Sequence, residues 1–72
     1  MKLTRQQVVA IVKALNNGGR VNTNEVSGAT GASLVKSGFM DRHFVPDGYG
    51  WITTYELTDK AREWARQNGY LT

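Results

Sequence analysis

The order of the sequence patterns predicts a small α+β domain built as a helix, a broken helix, a β-hairpin and a closing helix. Three observations carry that prediction. An amphipathic stripe opens the chain, an aromatic and β-branched stretch folds about one cluster of turn formers, and a second amphipathic stripe closes it. The 72 residues suffice for a single domain, residues 1–72. A chain of this length buries only roughly 60% of its unfolded surface, so a few large side chains must supply much of the core.

The first helix starts at Thr4, whose hydroxyl can cap the backbone while Gln7 reaches back from three residues on. Val8, Ile11, Val12 and Leu15 then fall at helical spacing, and Asn16-Asn17-Gly18-Gly19 stops the helix. Residues 20–22 are too short for more than a bridge-like strand. Asn22 or Thr23 offers the next cap, with Glu25 at capping-box distance from Asn22. Gly28 and Gly31 each cost about 1 kcal/mol inside a helix, so two short pieces are expected, residues 25–29 and 32–37, hinged near Thr30-Gly31 and closed by Gly38.

Residues 39–57 read as a hairpin turning on Pro46-Asp47-Gly48-Tyr49-Gly50. A turn centred on Gly48 pairs Val45 with Trp51, His43 with Thr53, Asp41 with Tyr55 and Phe39 with Leu57. It puts Met40, Arg42, Phe44, Ile52, Thr54 and Glu56 on the opposite face. Thr58-Asp59 opens the last helix, which buries Leu57, Ala61, Trp64 and Ala65 and ends at Gly69. The expected core joins Val8, Ile11, Val12, Leu15, Leu34, Phe39, Leu57, Ala61, Trp64 and Ala65.

Net charge is +3, and its distribution is uneven. Residues 1–42 hold six basic against two acidic side chains, a net +4, and residues 43–72 hold three against four, a net −1. A polyanion would be drawn to the first part. The chain has no cysteine, so neither a disulfide framework nor a cysteine-based zinc site is available. No segment approaches the roughly 20 apolar residues of a membrane span. The start Met1-Lys2-Leu3-Thr4 lacks the apolar core of a secretory leader, so a soluble cytoplasmic protein without membrane contact is expected. A cysteine nucleophile, a Ser-His-Asp set, a close carboxylate pair and a phosphate loop are all missing. The expectation is therefore no enzyme, no cofactor, no metal and no small-molecule substrate.

Three stretches resemble the winged helix-turn-helix family, dominated by bacterial and phage transcription regulators. Leu34-Val35-Lys36-Ser37-Gly38-Phe39-Met40-Asp41-Arg42 is similar to a recognition helix running into the first wing strand. Tyr55-Glu56-Leu57-Thr58-Asp59-Lys60-Ala61-Arg62-Glu63-Trp64 resembles the second wing strand entering the closing helix. Asn24-Glu25-Val26-Ser27-Gly28-Ala29-Thr30-Gly31-Ala32-Ser33 looks like the second helix and the turn of the motif. The resemblance implies a winged-helix-like domain with a shortened recognition helix, and duplex DNA as the partner of a regulator-type module.

It also implies where that duplex would be touched. Thr30, Ser33, Lys36 and Ser37 stand where the family contacts DNA, and hydroxyls and a lysine suit phosphate oxygens. Arg20, Arg42 and His43 would add charge along the hairpin and its neighbouring strand. The same hydroxyls also read as capping and turn residues, Arg42 as a surface ion-pair member, and His43 as a solvated strand histidine.

A second reading, of a winged-helix frame that no longer reads DNA, rests on the shortened recognition helix and on the hairpin tip, where Phe44, Val45, Tyr49, Trp51 and Ile52 cluster near the turn. Such a cluster suits a protein-binding inhibitor or adaptor, or self-association, through Phe44, Tyr49, Trp51 and Ile52. Trp51 is expected to fold back onto the helices and Tyr49 to stay in solvent. A continuous positive surface would favour the first reading and a contiguous apolar one the second.

Overall fold

The computed structural model describes residues 2–71. Met1 and Thr72, and with Met1 part of the reading of the extreme N-terminus, lie outside the described residues. Helix α1 spans Arg5–Asn16, strand β1 Arg20–Asn22, helix α2 Gly28–Lys36, strand β2 Met40–Asp47, strand β3 Gly50–Leu57 and helix α3 Asp59–Gln67. The strands form an antiparallel sheet in the order β1-β3-β2, giving a small α+β domain.

Helix α1 begins as its capping box predicts. The Gln7 amide donates to Thr4 Oγ1 at 3.2 Å and the Thr4 amide donates to Gln7 Oε1 at 2.8 Å. Its buried face, however, centres on Ala10, Ile11 and Ala14, with Val8, Val12 and Leu15 only half-buried. The two alanines let the helix come close to the sheet.

Helix α2 corrects the expected break. It is one continuous helix, and the turn over residues 23–25 before it is not helical. Ser27, rather than Asn22 or Thr23, caps it by accepting from the Thr30 amide at 3.2 Å. Asn22 instead accepts from the Asn24 amide at 2.9 Å in a local turn. Gly28 stands in the first turn, where its helix penalty is small. Gly31 is buried against the Tyr55 ring, which occupies the space a Cβ would need. Close packing of α2 on β3 therefore overrides the propensity cost. Gly38 ends the helix at φ +83°, and the Phe39 amide donates back to Leu34 O at 2.9 Å.

The hairpin register also differs, by one residue. A two-residue loop, Gly48-Tyr49, closes on the pair Asp47–Gly50, so Met40 faces Leu57, Arg42 faces Tyr55, Phe44 faces Thr53 and Pro46 faces Trp51. These eight residues share one face. At its base Met40, Tyr55 and Leu57 are buried together with Val21 of β1. The opposite face carries Asp41, His43, Val45, Ile52, Thr54 and Glu56, and none of them is buried. All three helices cover the first face, making a two-layer arrangement around Ile11, Leu34, Phe39, Met40 and Ala61.

Helix α3 keeps its expected boundaries, capped by Thr58 and followed by Gly69 at φ +83°. Thr58 Oγ1 also donates to Gly38 O at 2.6 Å, and Lys60 Nζ donates to Ser37 O at 2.8 Å. The end of α2 is thus tied to the start of α3. Trp64 is half-buried, edge-on to Phe39 at 6.5 Å and stacked on Tyr70 at 5.5 Å.

Candidate nucleic-acid interface

The periodicity of α2 decides which residues it presents. Gly31 and Leu34 point into the core, so Gly28, Ala29, Ala32 and Lys36 fall on the exposed side. Nothing larger than a methyl group stands on that side until Lys36.

Thr30 lies half-exposed at the N-terminal turn, where its Oγ1 accepts from the Ser27 hydroxyl at 2.9 Å. Arg42 leans over the Tyr55 ring at 5.9 Å, and that ring packs on Gly31, so Arg42 flanks α2 on the hairpin side. Thr30 and Lys36 are therefore presented by α2 itself, and Arg42 stands beside it.

Ser33 and Ser37 do other work. Ser33 Oγ donates to Thr30 O at 2.8 Å and accepts from Gln7 Nε2 at 3.0 Å, which links α2 to α1. Ser37 is the C-terminal cap whose carbonyl receives Lys60.

Arg20 and His43 stand on the far face of the sheet. Arg20 is paired in register with Glu56, with Asp41 next across the sheet, so its charge is locally outnumbered. His43 lies beside Thr54 on the same outward face.

Two basic residues join the α2 side that the sequence reading passes over. Arg5 and Lys13 line a groove together with Val9, Glu25, Val26, Ser27 and Thr30, between α1 and the start of α2, so its two cations stand against one carboxylate. The Lys13 ammonium donates to Glu25 O at 3.2 Å. Their spacing is the missed signal, because Arg5, Val9 and Lys13 recur at i, i+4 and i+8 and so share one helical face, with Val9 44% exposed between them. The one ion pair among the described residues joins Arg66 to Glu63 on α3, away from this bracket.

Charge divides the molecule more sharply than the simple halves of the chain. Residues 40–57 hold Arg42 against Asp41, Asp47 and Glu56, a net −2, while the remainder holds eight basic against three acidic residues, a net +5.

The apolar cluster at the hairpin tip is open to solvent. Phe44 is 65% and Trp51 72% exposed, Tyr49 is fully exposed, Val45 is exposed and Ile52 is half-buried. Trp51 thus departs from the expectation that it returns to the helices. It shares a face with Tyr55 and Leu57 but lies beyond the end of the helical layer.

Among the described residues, no helix is long and apolar enough to cross a membrane. Compared with known protein families, curated proteins and solved structures, the chain matches none.

Proposed function

We propose that this domain is a small regulator-type module that holds duplex DNA mainly through its phosphate backbone, with α2 laid against the duplex. The observation that carries the reading is the bracket of Arg5, Lys13, Lys36 and Arg42 around the exposed side of α2. Small side chains on that side let the helix approach closely, and the four cations stand where phosphate oxygens would flank it. A helix leading into a two-stranded hairpin supports a reduced winged-helix frame, in which the single helix α2 stands where the motif has two helices and a turn, residues 24–27 forming no separate second helix. Alanine and glycine provide few groups for reading base edges, so binding tolerates sequence variation.

A titration against unrelated duplexes at several salt concentrations tests the proposal. Four phosphate contacts give a slope of log affinity on log salt of roughly −3 to −4, and neutralising Lys36 or Arg42 lowers it by about 1. Arg20→Ala, on the far face, leaves the slope unchanged. Salt-independent binding, or none at micromolar concentration, overturns the reading.

One observation favours a second reading, a protein-binding inhibitor or adaptor: the solvent-exposed Phe44, Tyr49 and Trp51 beside Ile52. On that reading the basic bracket is dispensable, and substitutions at the hairpin tip alone abolish activity.

A further inference from the structure

We propose that the outer part of the hairpin, residues 44–53, is a self-association element: two copies of this chain pack their arms together, aromatic face on aromatic face. Strand β1 pairs with β3 only at Asn22–Thr54 and below, so this arm has no third strand. Phe44 and Trp51 are diagonal neighbours on one face, with Pro46 opposite Trp51 and Tyr49 in the loop beyond them. Taking 150–250 Å² for a whole aromatic side chain, the exposed parts of these three rings offer on the order of 500 Å² per arm. That is more than scattered apolar surface and somewhat less than the roughly 800 Å² each partner gives to a standard interface, so the complex is weak and concentration-dependent.

Charge selects a second copy as the occupant. Asp47 is the only formal charge within residues 44–53, so two arms meet with little repulsion. The basic bodies, which would repel at close range, are held apart by an arm projecting from a molecule 39 Å long and 22 × 17 Å across. Pro46 selects the mode of contact. The two-residue loop makes Asp47–Gly50 the hydrogen-bonded pair, so position 46 faces outward on the open edge of β2. Proline has no amide to offer there, which weakens strand addition and leaves the aromatic face as the contact surface.

The test is the molar mass of the free protein, by light scattering and sedimentation equilibrium, from low micromolar to near-millimolar concentration. No DNA is present, so the outcome is independent of the nucleic-acid reading. The mass is expected to rise from the 8.0 kDa monomer towards twice that value as concentration increases. Trp51→Ala and Phe44→Ala are each expected to stay monomeric throughout, with circular dichroism and melting temperature matching the wild type at low micromolar concentration, where it too is monomeric. A wild-type protein that stays monomeric across the range overturns the proposal. So does association that survives both substitutions.

Discussion

The two ends of the hairpin are made from the same two strands and meet opposite fates. At the base, Met40, Tyr55 and Leu57 are sealed under three helices, whereas a few residues further out on the same face Phe44 and Trp51 stand in water. Residue type does not separate them, because the exposed end is the more aromatic. What separates them is reach. The helical layer ends near Gly31 and Tyr55, and a strand advancing about 3.3 Å per residue soon leaves it behind. Charge follows the same division, with a net −2 on the hairpin and +5 on the rest. An aromatic in a small domain thus indicates a core only if some other element extends far enough to cover it.

Substitutions at the two ends sharpen that comparison, and the largest effect belongs to the body. Leu34→Ala, at a site with no solvent exposure, should cost about 3 kcal/mol in a denaturant melt. A loss below 1 kcal/mol would break the division, since the body would then be no better packed than the arm. Gly31→Val comes next, at about 2 kcal/mol, because its side chain must displace the Tyr55 ring. Ser27→Ala removes the cap of α2 and should cost about 1 kcal/mol.

Gly28→Ala meets open space in the same helix and should stabilise by roughly 0.5 kcal/mol, opposite in sign to Gly31→Val. Equal gains at the two glycines would mean that helix propensity governs both and that the Tyr55 ring yields without cost. The smallest effect is expected at the arm, where Trp51→Ala should leave stability within about 0.5 kcal/mol. A multi-kcal/mol loss there would mean that Trp51 is covered within the monomer.

Local chemistry was legible at most helix ends but not at the start of α2, where Ser27 caps in place of Asn22 or Thr23. Thr4 with Gln7, Thr58, Gly38 and Gly69 mark boundaries that the structure keeps. Other failures lie where a distant element decides, or where a turn can close in either of two registers. Gly31 reads as a helix breaker until Tyr55, 24 positions on, is found against it. The register hinges on whether the turn centres on Gly48 or on the Gly48-Tyr49 bond, and nothing in the loop composition separates the two. Ala10 and Ala14 are too small to announce a core face, so the stripe read from Val8 and Val12 is rotated from the buried one. At the candidate interface, Lys36 and Arg42 were legible as exposed cations. Arg20 and His43 could be assigned to the far face only after the sheet order was known.

The two tryptophans divide along the same line, which makes the protein its own reporter. Trp64, stacked on Tyr70 and edge-on to Phe39, has an emission that answers to unfolding of the body. Trp51, 72% exposed, is expected to emit as a solvated indole in the folded state, so that unfolding changes it little. Any partner that covers the arm must shift the Trp51 spectrum to the blue and shield it from soluble quenchers, while Trp64 keeps its signal. Trp51→Phe and Trp64→Phe would give two single-colour versions of the molecule, one that sees folding and one that sees company.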